Sequence, residues 1–559
     1  MFRPSKKEKQ LDMFASISGM LKGTAYEQYN NEKSWHNMFR EHVVSQVDEN
    51  LFKPLFSQRM GAPNSSIRVL IGMMALKEAF GWSDSDLFER CRFDLLVRSA
   101  LGLFNITDSL PTESTYYLLR KRIHDYNVTH QEDLIEQVFQ QITHYQLQEF
   151  EVNGRSVRMD SKLIGSNIAW CSRYELIHDT LGLFYKAIDQ SLPSKLAADI
   201  MASLADISET PGQKIVYHST REDLQERLLT LGILSYKVLS VYQEHENRYY
   251  STLKRVFDDH FRMGDNGKTE LKPKEDLGSD SLQSPFDPDC AYRNKDGQQV
   301  KGYSVNVTET CDDESLNLIT DIQVAKANQP DTEFVQPALE QTSLVLEHTP
   351  EAMHADGAYQ SPDNVEYCQE EDINPYFTGM QGHAGRYDLE LVDDQLTVTD
   401  THTGEQIPSK KCKSGKWGIK TEKGHRYFSY KEIEACRFRK ELERMPVELR
   451  IKRNNVEATI FQLCFHTRNN KTRYRGINQH KMWAVLRCMW INLRRIMAYM
   501  EQDCQRTLLF GQNVAKKLAF YQKNDQKTVF GLVFSRCQTS FKIFVNSYIK
   551  LSFNKFHFS

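Results

Sequence analysis

Residues 155–170, RSVRMDSKLIGSNIAW, decide the fold because they place one carboxylate on a short extended segment. Val157 and Met159 alternate with Arg158 and Asp160, which is the period-2 pattern of a half-buried β-strand. We therefore expect Asp160 at the end of a strand. An aspartate at such a place is ordinarily a turn residue, so a functional role requires the fold to bring other carboxylates to it.

The distribution of charge along the chain indicates a polyanionic partner. The 559 residues carry a formal charge of -3, which hides an uneven distribution of sign. Residues 361–400 lean acidic, whereas residues 410–440 and 451–495 are dense in Lys and Arg, and residues 511–559 contain Asp525 as their only acid. Basic stretches on a near-neutral chain suit a polyanion. A solvated helical face is the alternative interpretation of any single basic run.

The cysteines and the apolar residues indicate a cytoplasmic protein without membrane function. Eleven cysteines occur without a repeated CxxC spacing, as is typical of reduced thiols. The first residues, MFRPSKKEKQLDMF, lack the apolar run of a secretion signal. No stretch reaches the roughly 20 apolar residues that are needed to span a bilayer. We therefore expect a cytoplasmic location.

Residues 1–150 are predicted to be helical. Residues 67–80 form an apolar stripe of helical period behind a serine cap, residues 85–101 form a second helix, residues 113–127 a third, basic one, and residues 127–150 a fourth. Short helices joined by tight turns favour a helix-turn-helix-like DNA-binding unit. An ordinary helical bundle with an exposed basic face fits the same pattern.

The rest of the chain predicts an α/β core interrupted by two insertions. Strand patterns recur near Asp160, around an Asp296-Gly297 hairpin, at residues 316–328 and up to Asp356. Helices are predicted at residues 331–348, at 451–465 with Glu457, and after 480. On the last of these helices, Arg487, Arg494 and Arg495 are expected to point outward. The predicted parts are a core (151–171, 290–360 and 445–500), a helical and loop insert (172–289, with a loop from 262), a β-rich insert (361–444) and a basic tail (501–559).

Asp160, Asp356 and Glu457 are the candidate site residues. Two aspartates on neighbouring strands and a glutamate on a following helix suit Mg²⁺, which prefers carboxylate oxygen. Two such ions about 3.5–4 Å apart assist phosphodiester displacement. The alternative interpretations are turn-forming aspartates and an ion pair between Glu457 and Arg453 on one helix face.

Four other residues are alternative candidates for metal ligands. Cys412, His425 and Cys436 lack the paired spacing of a zinc site, so we interpret them as unrelated side chains. His354, two residues before Asp356, is predicted to be a strand residue facing the core.

Three segments resemble DDE-superfamily transposases of bacterial insertion sequences. They are RMDSKLIGSN around Asp160, HADGAYQSPDN around Asp356, and RNNVEATIF around Glu457, which is followed by RYRGINQHKMWAVLRCMWINLRRI. The resemblance extends from the N-terminal helices to about residue 499. It implies an α/β fold in which a ribonuclease H-like catalytic domain, with a helical and a β-rich insert, follows an all-α domain. The family has its first Asp on the first strand, its second on the fourth, and its Glu on a later helix.

The resemblance implies roles for individual residues. Asp160, Asp356 and Glu457 become the catalytic triad, which binds two Mg²⁺ or Mn²⁺ ions. Arg453 matches the arginine one helical turn before the glutamate, where a guanidinium can hold a DNA phosphate. The full set of expected DNA contacts is Arg450, Arg453, Arg473, Arg475, Arg120, Lys121 and Arg122.

Two positions depart from the family pattern. The tyrosine expected three residues before Arg453 is Arg450, and the lysine expected seven residues after Glu457 is Cys464. Arg450 can contact phosphate, whereas Cys464 cannot. Either another cation, such as Lys471 or Arg473, substitutes for the lysine, or strand transfer is impaired.

The implied reaction is cleavage at the ends of a transposable element and attack of the freed 3′ hydroxyl on target DNA. The expected partner is double-stranded DNA, bound by a homodimer because the element has two ends, with strong salt dependence. End recognition is assigned to the N-terminal helices. Two alternatives remain, namely a catalytically inactive DNA-binding relative, which Cys464 favours, and a related nuclease that cuts without joining.

Overall fold

The structure, a computed structural model, describes residues 1–5, 15–57, 59–188, 198–241, 249–265, 267–295, 297–379, 385–421 and 424–523. The chain divides into two compact units, Met1–Arg495 and Ile496–Ser559. The second unit is helical up to residue 523. The remainder of the predicted basic tail, from residue 524, lies outside the described residues, as does Asp296 of the predicted hairpin.

The helices lie in the N-terminal region, in the first insert, in the layers that cover the sheet, and, for one helix, against the small β-sheets. They are α1 (Ile17–Met20), α2 (Gly23–Asn30), α3 (Trp35–His42), α4 (Ile67–Phe80), α5 (Asp84–Phe93), α6 (Leu95–Ala100), α7 (Glu113–His130), α8 (Leu134–Glu149), α9 (Arg173–Lys186), α10 (Ala198–Glu209), α11 (Gly212–Tyr217), α12 (Arg221–Val241), α13 (Tyr250–His260), α14 (Val335–Leu346), α15 (Pro362–Glu370), α16 (Tyr430–Arg444), α17 (Val447–Lys452), α18 (Val456–Cys464) and α19 (Ile477–Lys523).

The strands belong to one large sheet and three small ones. They are β1 (Ser156–Gly165), β2 (Phe261–Met263), β3 (Thr269–Leu271), β4 (Ala291–Lys295), β5 (Gln298–Thr310), β6 (Ile319–Lys326), β7 (Ala352–Asp356), β8 (Asn374–Thr378), β9 (Tyr387–Val392), β10 (Gln395–Asp400), β11 (Gln406–Pro408), β12 (Lys410–Lys411), β13 (Trp417–Thr421) and β14 (Gly424–Phe428). Among them, β2 and β3 form a ribbon in the segment that the sequence predicts to be a loop.

The N-terminal region is helical, as predicted, with different boundaries. The single helix expected at residues 85–101 is two helices, because the Asp94 side chain accepts hydrogen bonds from the N–H groups of Leu96 and Val97 and so begins α6. The fourth helix begins at Leu134 and not at 127. Gln131 adopts a left-handed conformation that ends α7, and Asp133 caps α8.

The large sheet is mixed, and its central strand is β1. The order is β4-β5-β1-β7-β8, and β6 pairs with a later part of β5. Strand β1 is antiparallel to β5 and parallel to β7, which is parallel to β8. The chain therefore has the predicted α/β fold, with an N-terminal helical region and a mixed sheet packed between helices.

The two faces of the sheet have different characters because side chains alternate along a strand. Val157 and Met159 of β1 are fully buried in one core with Met353 and Ala355 of β7, packed beneath α14. Asp160 lies on the opposite face of β1, which α18 contacts. The predicted alternation is confirmed, whereas the predicted strand end is wrong. Asp160 lies in the middle of β1, because pairing with β5 continues as far as Gly165.

The β-rich segment begins later than the sequence suggests. Helix α15 and strand β8 fall within residues 361–444, yet β8 extends the main sheet beside β7. Strands β9–β14 then form two three-stranded sheets that pack with α16 around a separate core. Val398, Trp417 and Phe428 belong to this core.

Two of the three arginines predicted to point outward on α19 are internal. Arg494 is exposed, but Arg495 is half-buried and Arg487 is buried. Arg487 Nη1 donates to the carbonyls of Glu78 and Ala79 at 3.0 and 2.8 Å, at the end of α4, and its Nε donates to Leu463 O at 3.3 Å, at the end of α18. Helix ends leave carbonyls unpaired and carry partial negative charge. A cation therefore joins these two helix ends.

Asp321 on β6 makes stability depend on pH. Burial raises the pKa of Asp321 to about 7, although Gln323 donates a hydrogen bond to its carboxyl at 2.9 Å. The folded state therefore holds a proton that the unfolded chain releases near pH 4, so stability falls as pH rises from about 4 to 7. We expect Asp321→Asn to flatten this dependence in thermal unfolding curves measured across that range. A slope unchanged from the parent would contradict the assignment.

Candidate active site

Strand register places Asp160 and Asp356 side by side. In the parallel pair of β1 and β7, Arg158 is opposite His354. The pairing ends at these two residues, and Asp160 and Asp356 each lie two residues further along, so both are on the same face of neighbouring strands. Adjacent strands lie about 4.8 Å apart. Two aspartates that are far apart in sequence are thus brought together by the pairing of the strands.

Arg453 marks the point on which the three predicted carboxylates converge. Its Nη2 atom lies 3.5 Å from Asp160 Oδ2, 3.7 Å from Asp356 Oδ2 and 3.8 Å from Glu457 Oε1. Because one nitrogen reaches all three oxygens, no two of these oxygens are farther apart than twice 3.8 Å. The structure therefore brings Asp160, Asp356, Glu457 and Arg453 into one cluster.

Both aspartates are oriented by the backbone in the same way. Asp160 Oδ1 accepts the Ser161 N–H at 2.8 Å, and Asp356 Oδ1 accepts the Gly357 N–H at 2.6 Å. The Oδ2 atom of each is the one that faces Arg453. One oxygen of each carboxylate is thus held by the chain, and the other is directed into the cluster.

The cluster is enclosed at Asp160 and open at Glu457. The side chain of Asp160 is 17% exposed, that of Asp356 39% and that of Glu457 66%. Burial raises the pKa of Asp160, with a further contribution from the charge of Asp356, while Arg453 and the Ser161 N–H act in the opposite direction. A large polar ligand has access from the Glu457 side.

A buried ion-pair network fixes α18 against the sheet. Arg158 of β1 and Glu309 of β5 are cross-strand partners, and Arg158 Nε lies 2.6 Å from Glu309 Oε1. Glu309 Oε2 accepts from Thr459 Oγ1 at 2.6 Å and pairs with Arg495 at 2.7 Å. Thr459 is two residues after Glu457, so this network positions the helix that carries the glutamate.

Glu309 is charged in spite of its complete burial. Burial alone would raise its pKa, but the guanidinium groups of Arg495 and Arg158 and the hydroxyl of Thr459 hold the pKa below its usual value. Arg158 also donates to the Lys452 carbonyl at 3.1 Å, directly before Arg453. Both ends of the segment that supplies Arg453 and Glu457 are therefore attached to the sheet.

The side chains of the cluster are of the chemical type that binds a hard divalent cation. Three carboxylates converge on one positive charge, and carboxylate oxygen is the ligand that Mg²⁺ prefers. Among the residues that the structure describes, no three His, Cys, Asp or Glu side chains are arranged as metal ligands. The Arg453 guanidinium lies where the three carboxylates meet and supplies the counter-charge.

The other expected DNA-contacting cations lie outside this cluster. Arg450 donates to Met445 O at 3.1 Å, Arg473 to Gly81 O and Trp82 O at 2.8 and 2.6 Å, and Arg475 to Asn167 O at 2.7 Å. In the N-terminal region Arg120 donates to Gln479 at 3.2 Å, Arg122 lies over the Phe56 ring, and Lys121 is exposed. Their role in DNA binding stays a prediction.

The surroundings of Cys464 contain a cation that the sequence analysis did not identify. Burial raises the pKa of Cys464 to about 11, and the positive charges of Lys162 and Arg487 oppose this rise. Lys162 is two residues after Asp160 and so faces the same side of β1. Lys471, considered above as a substitute, instead donates to Ile168 O at 2.5 Å.

The residues that sequence reasoning missed are those whose partners come from other elements. Arg158 alternates in phase with Asp160, which was a usable signal for a charged residue on the site face. Its partner Glu309 is identifiable only once the register of β1 and β5 is known. His354 is a buried strand residue, as predicted, but it lies on the face of β7 that carries Asp356 and not on the core face of Met353 and Ala355, and it stacks on Tyr376 with 4.9 Å between ring centres.

Part of the helical region matches a described protein family. Residues 27–122 match the family model described as Transposase domain (DUF772). The matched segment covers well under half of the chain and contains the end of α4 that Arg487 joins to α18. The match supports a transposase, a class of protein that acts on DNA.

No curated protein and no solved structure gives a significant match to this chain. None of the helices in the described ranges combines the length and the apolar character of a membrane span. The nine cysteines whose side chains the structure describes are free thiols. The expected cytoplasmic location and homodimer stay predictions.

Proposed function

We propose that the chain is a DDE-type transposase that cleaves DNA at the ends of its element and joins the freed ends to target DNA. The observation that carries the proposal is the convergence of Asp160, Asp356 and Glu457 within 3.8 Å of one guanidinium nitrogen. The match of residues 27–122 to a transposase domain supports it independently.

The topology supports a ribonuclease H-like core. Apart from β2–β4, the strands of the sheet come in the chain order β1, β5, β6, β7 and β8. Strand β5 is antiparallel to β1, and β6 is antiparallel to β5. Strand β7 is parallel to β1, and β8 is parallel to β7. Asp160 lies on the first of these strands and Asp356 at the end of the fourth. Glu457 follows the small β-sheets on a helix, as the family pattern requires.

The reaction consists of two displacements at phosphorus. In cleavage, the oxygen of water bonds to phosphorus and the bond from phosphorus to the 3′ oxygen breaks, leaving a 3′ hydroxyl and a 5′ phosphate. In joining, that 3′ oxygen bonds to a target phosphorus, and the target strand is released with a 3′ hydroxyl of its own. Asp160, Asp356 and Glu457 form the anionic side of the site.

Divalent cations held by the three carboxylates would supply Lewis-acid activation of the attacking and leaving oxygens. Arg453 would then be displaced from the carboxylates and would be available to a DNA phosphate, for which a guanidinium is well suited. In this proposal Arg453 alternates between neutralising the acidic cluster and binding the substrate.

Substitution of Arg453 separates these two roles. Arg453→Ala is expected to raise the affinity of the free protein for Mn²⁺ by about tenfold, equivalent to about 1.4 kcal/mol, because a competing positive charge is removed. The same change is expected to weaken DNA binding. It is also expected to reduce the slope of log affinity against log salt concentration by about 1, since one phosphate contact is lost. Titration calorimetry with Mn²⁺ alone and DNA binding at several salt concentrations measure the two effects.

Arg262 provides the matched control for this experiment. It is an exposed arginine paired with Glu270 in the first insert, so Arg262→Ala is expected to change neither quantity. If Arg453→Ala lowered the affinity for Mn²⁺, the proposed exchange would be wrong.

Lys162 supports an active enzyme over the inactive relative. Lys162 lies two residues after Asp160 on β1, which α18 contacts, and its positive charge opposes the rise in the pKa of Cys464, the position at which the resemblance leads one to expect lysine. We propose that a cation from β1 takes the place of the expected cation from α18.

The proposed function is tested with purified protein, Mg²⁺ or Mn²⁺, and DNA that carries the terminal repeats. Nicked and joined products support it, nicking alone indicates the nuclease, and binding alone indicates the inactive relative.

A further inference from the structure

Phe461 of helix α18 and Phe465, the residue that follows the end of this helix, are exposed to solvent beside the acidic cluster. Phe461 is 68% exposed and Phe465 is 64% exposed. They follow Glu457 by four and eight residues, so the three side chains lie on one side of the helix. At about 1.5 Å per residue, Phe461 lies about 6 Å and Phe465 about 12 Å beyond Glu457 along the helix axis.

These two rings contribute little to the packing of α18. The buried side of the helix consists of Val456, Thr459, Ile460 and Leu463. The rings of Phe461 and Phe465 contact each other edge to face, with 6.2 Å between their centres. The helix thus has a complete buried side and a separate exposed aromatic pair.

A cationic side chain lies toward each end of this aromatic pair, and the one at the Glu457 end, Arg453, is surrounded by three carboxylates. Arg453 precedes it in the acidic cluster, and the charge of Lys162 acts on Cys464, which is next to Phe465. Cations that bind phosphates beside aromatic rings that stack on bases are the combination found in proteins that bind single-stranded nucleic acid. An apolar surface on a second protein chain would be served less well by these flanking charges.

We propose that Phe461 and Phe465 stack on unpaired bases of the DNA strand whose phosphodiester lies at Asp160, Asp356 and Glu457. This inference rests on the proposed function. A nucleotide advances 3.4 Å along a strand of B-DNA, so the rings lie about two to four nucleotides from the phosphodiester. The pair forms a subsite for bases that are unpaired at the cleaved end.

Binding without metal tests the subsite apart from the chemistry. The probes are a blunt duplex and the same duplex with a short unpaired 3′ or 5′ extension that carries 2-aminopurine, all in the presence of EDTA. The parent protein is expected to bind one of the extended duplexes more tightly than the blunt one and to quench its 2-aminopurine fluorescence, as stacking requires. Phe461→Ala is expected to weaken binding to the extended duplex by about 5-fold to 150-fold and to leave binding to the blunt duplex unchanged.

Three further variants make the result specific to stacking. Phe461→Trp keeps an aromatic face and is expected to retain quenching, whereas Phe461→Leu keeps an apolar side chain and is expected to behave like Phe461→Ala. Tyr217 of α11 is 84% exposed and far from Glu457 in sequence, so Tyr217→Ala serves as the control for loss of an exposed aromatic ring. Because Phe461 is exposed, these variants are expected to fold normally, which thermal unfolding verifies.

Several results would overturn the subsite. Equal binding and quenching by the parent and by Phe461→Ala would do so, as would full retention by Phe461→Leu. Dissociation of a DNA-free oligomer by Phe461→Ala, seen by light scattering, would show that a second copy of the chain covers this surface. If Asp160→Asn still cleaved DNA while Phe461→Ala lost base binding, the proposed chemistry would be refuted and the subsite would stand. If Asp160→Asn lost cleavage while Phe461→Ala kept base binding, the subsite alone would be refuted.

Discussion

Asp160→Asn is expected to reduce DNA cleavage by about 10³-fold or more while the protein remains folded. The substitution keeps the shape of the side chain and removes the charge of the most enclosed carboxylate in the cluster. Metal-assisted stabilisation of a phosphodiester transition state is worth several kcal/mol, and each 1.36 kcal/mol is tenfold in rate. Initial rates of plasmid nicking with Mg²⁺ and with Mn²⁺ measure the effect.

Stability separates loss of chemistry from loss of structure in this variant. Burial and the charge of Asp356 raise the pKa of Asp160, so the charged form is disfavoured in the folded protein. Asp160→Asn is therefore expected to unfold at the same temperature as the parent or at a higher one. Asp280→Asn, which changes an exposed carboxylate paired with Lys326, is the matched control. If Asp160→Asn nicked DNA as fast as this control, Asp160 would not be a residue of the active site.

Glu309→Ala is expected to have the largest effect on stability. It leaves Arg158 buried without its partner and removes the group that joins Arg495 and Thr459. Breaking a buried pair by removing one member costs about 3–5 kcal/mol. Scanning calorimetry is expected to show a melting temperature lower by several degrees, and cleavage is expected to fall because the network positions the helix of Glu457.

Exposed and buried ion pairs can be compared within this one chain. Glu270 pairs with Arg262 at the surface at 3.2 Å, and Glu270→Ala is expected to cost less than about 1 kcal/mol. The pKa of Glu309 is lower in the folded chain, so its contribution to stability is present above its ordinary pKa and is lost as pH falls through the folded pKa. A cost for Glu309→Ala no greater than that for Glu270→Ala would contradict the role given to the network.

The sequence predicted the elements whose signals are local. The alternation of Val157 and Met159 with Arg158 and Asp160 predicted a strand with one buried face, because a single strand carries that pattern within itself. The serine before α4 predicted the start of that helix in the same way. The break at Asp94 was missed because an aspartate inside a helix costs less than about 1 kcal/mol, so its presence does not by itself mark a cap.

Where partners come from distant elements, only the tertiary structure could decide. Arg487 and Arg495 have the sequence context of surface arginines, yet the carbonyls of two helix ends and the carboxylate of Glu309 hold them inside. Packing likewise decided that Lys162 lies near Cys464 and that Arg453 lies among three carboxylates.

By itself, then, the sequence determined where most of the larger strands and helices lie and which acids were candidates, because hydrophobic period and capping are properties of neighbouring residues. The tertiary structure decided that Asp160 faces Asp356, that Glu457 reaches both through Arg453, and that Phe461 is left exposed beside them. The physical reason is that strand register and helix docking are set by contacts between segments hundreds of residues apart, and no local pattern records them.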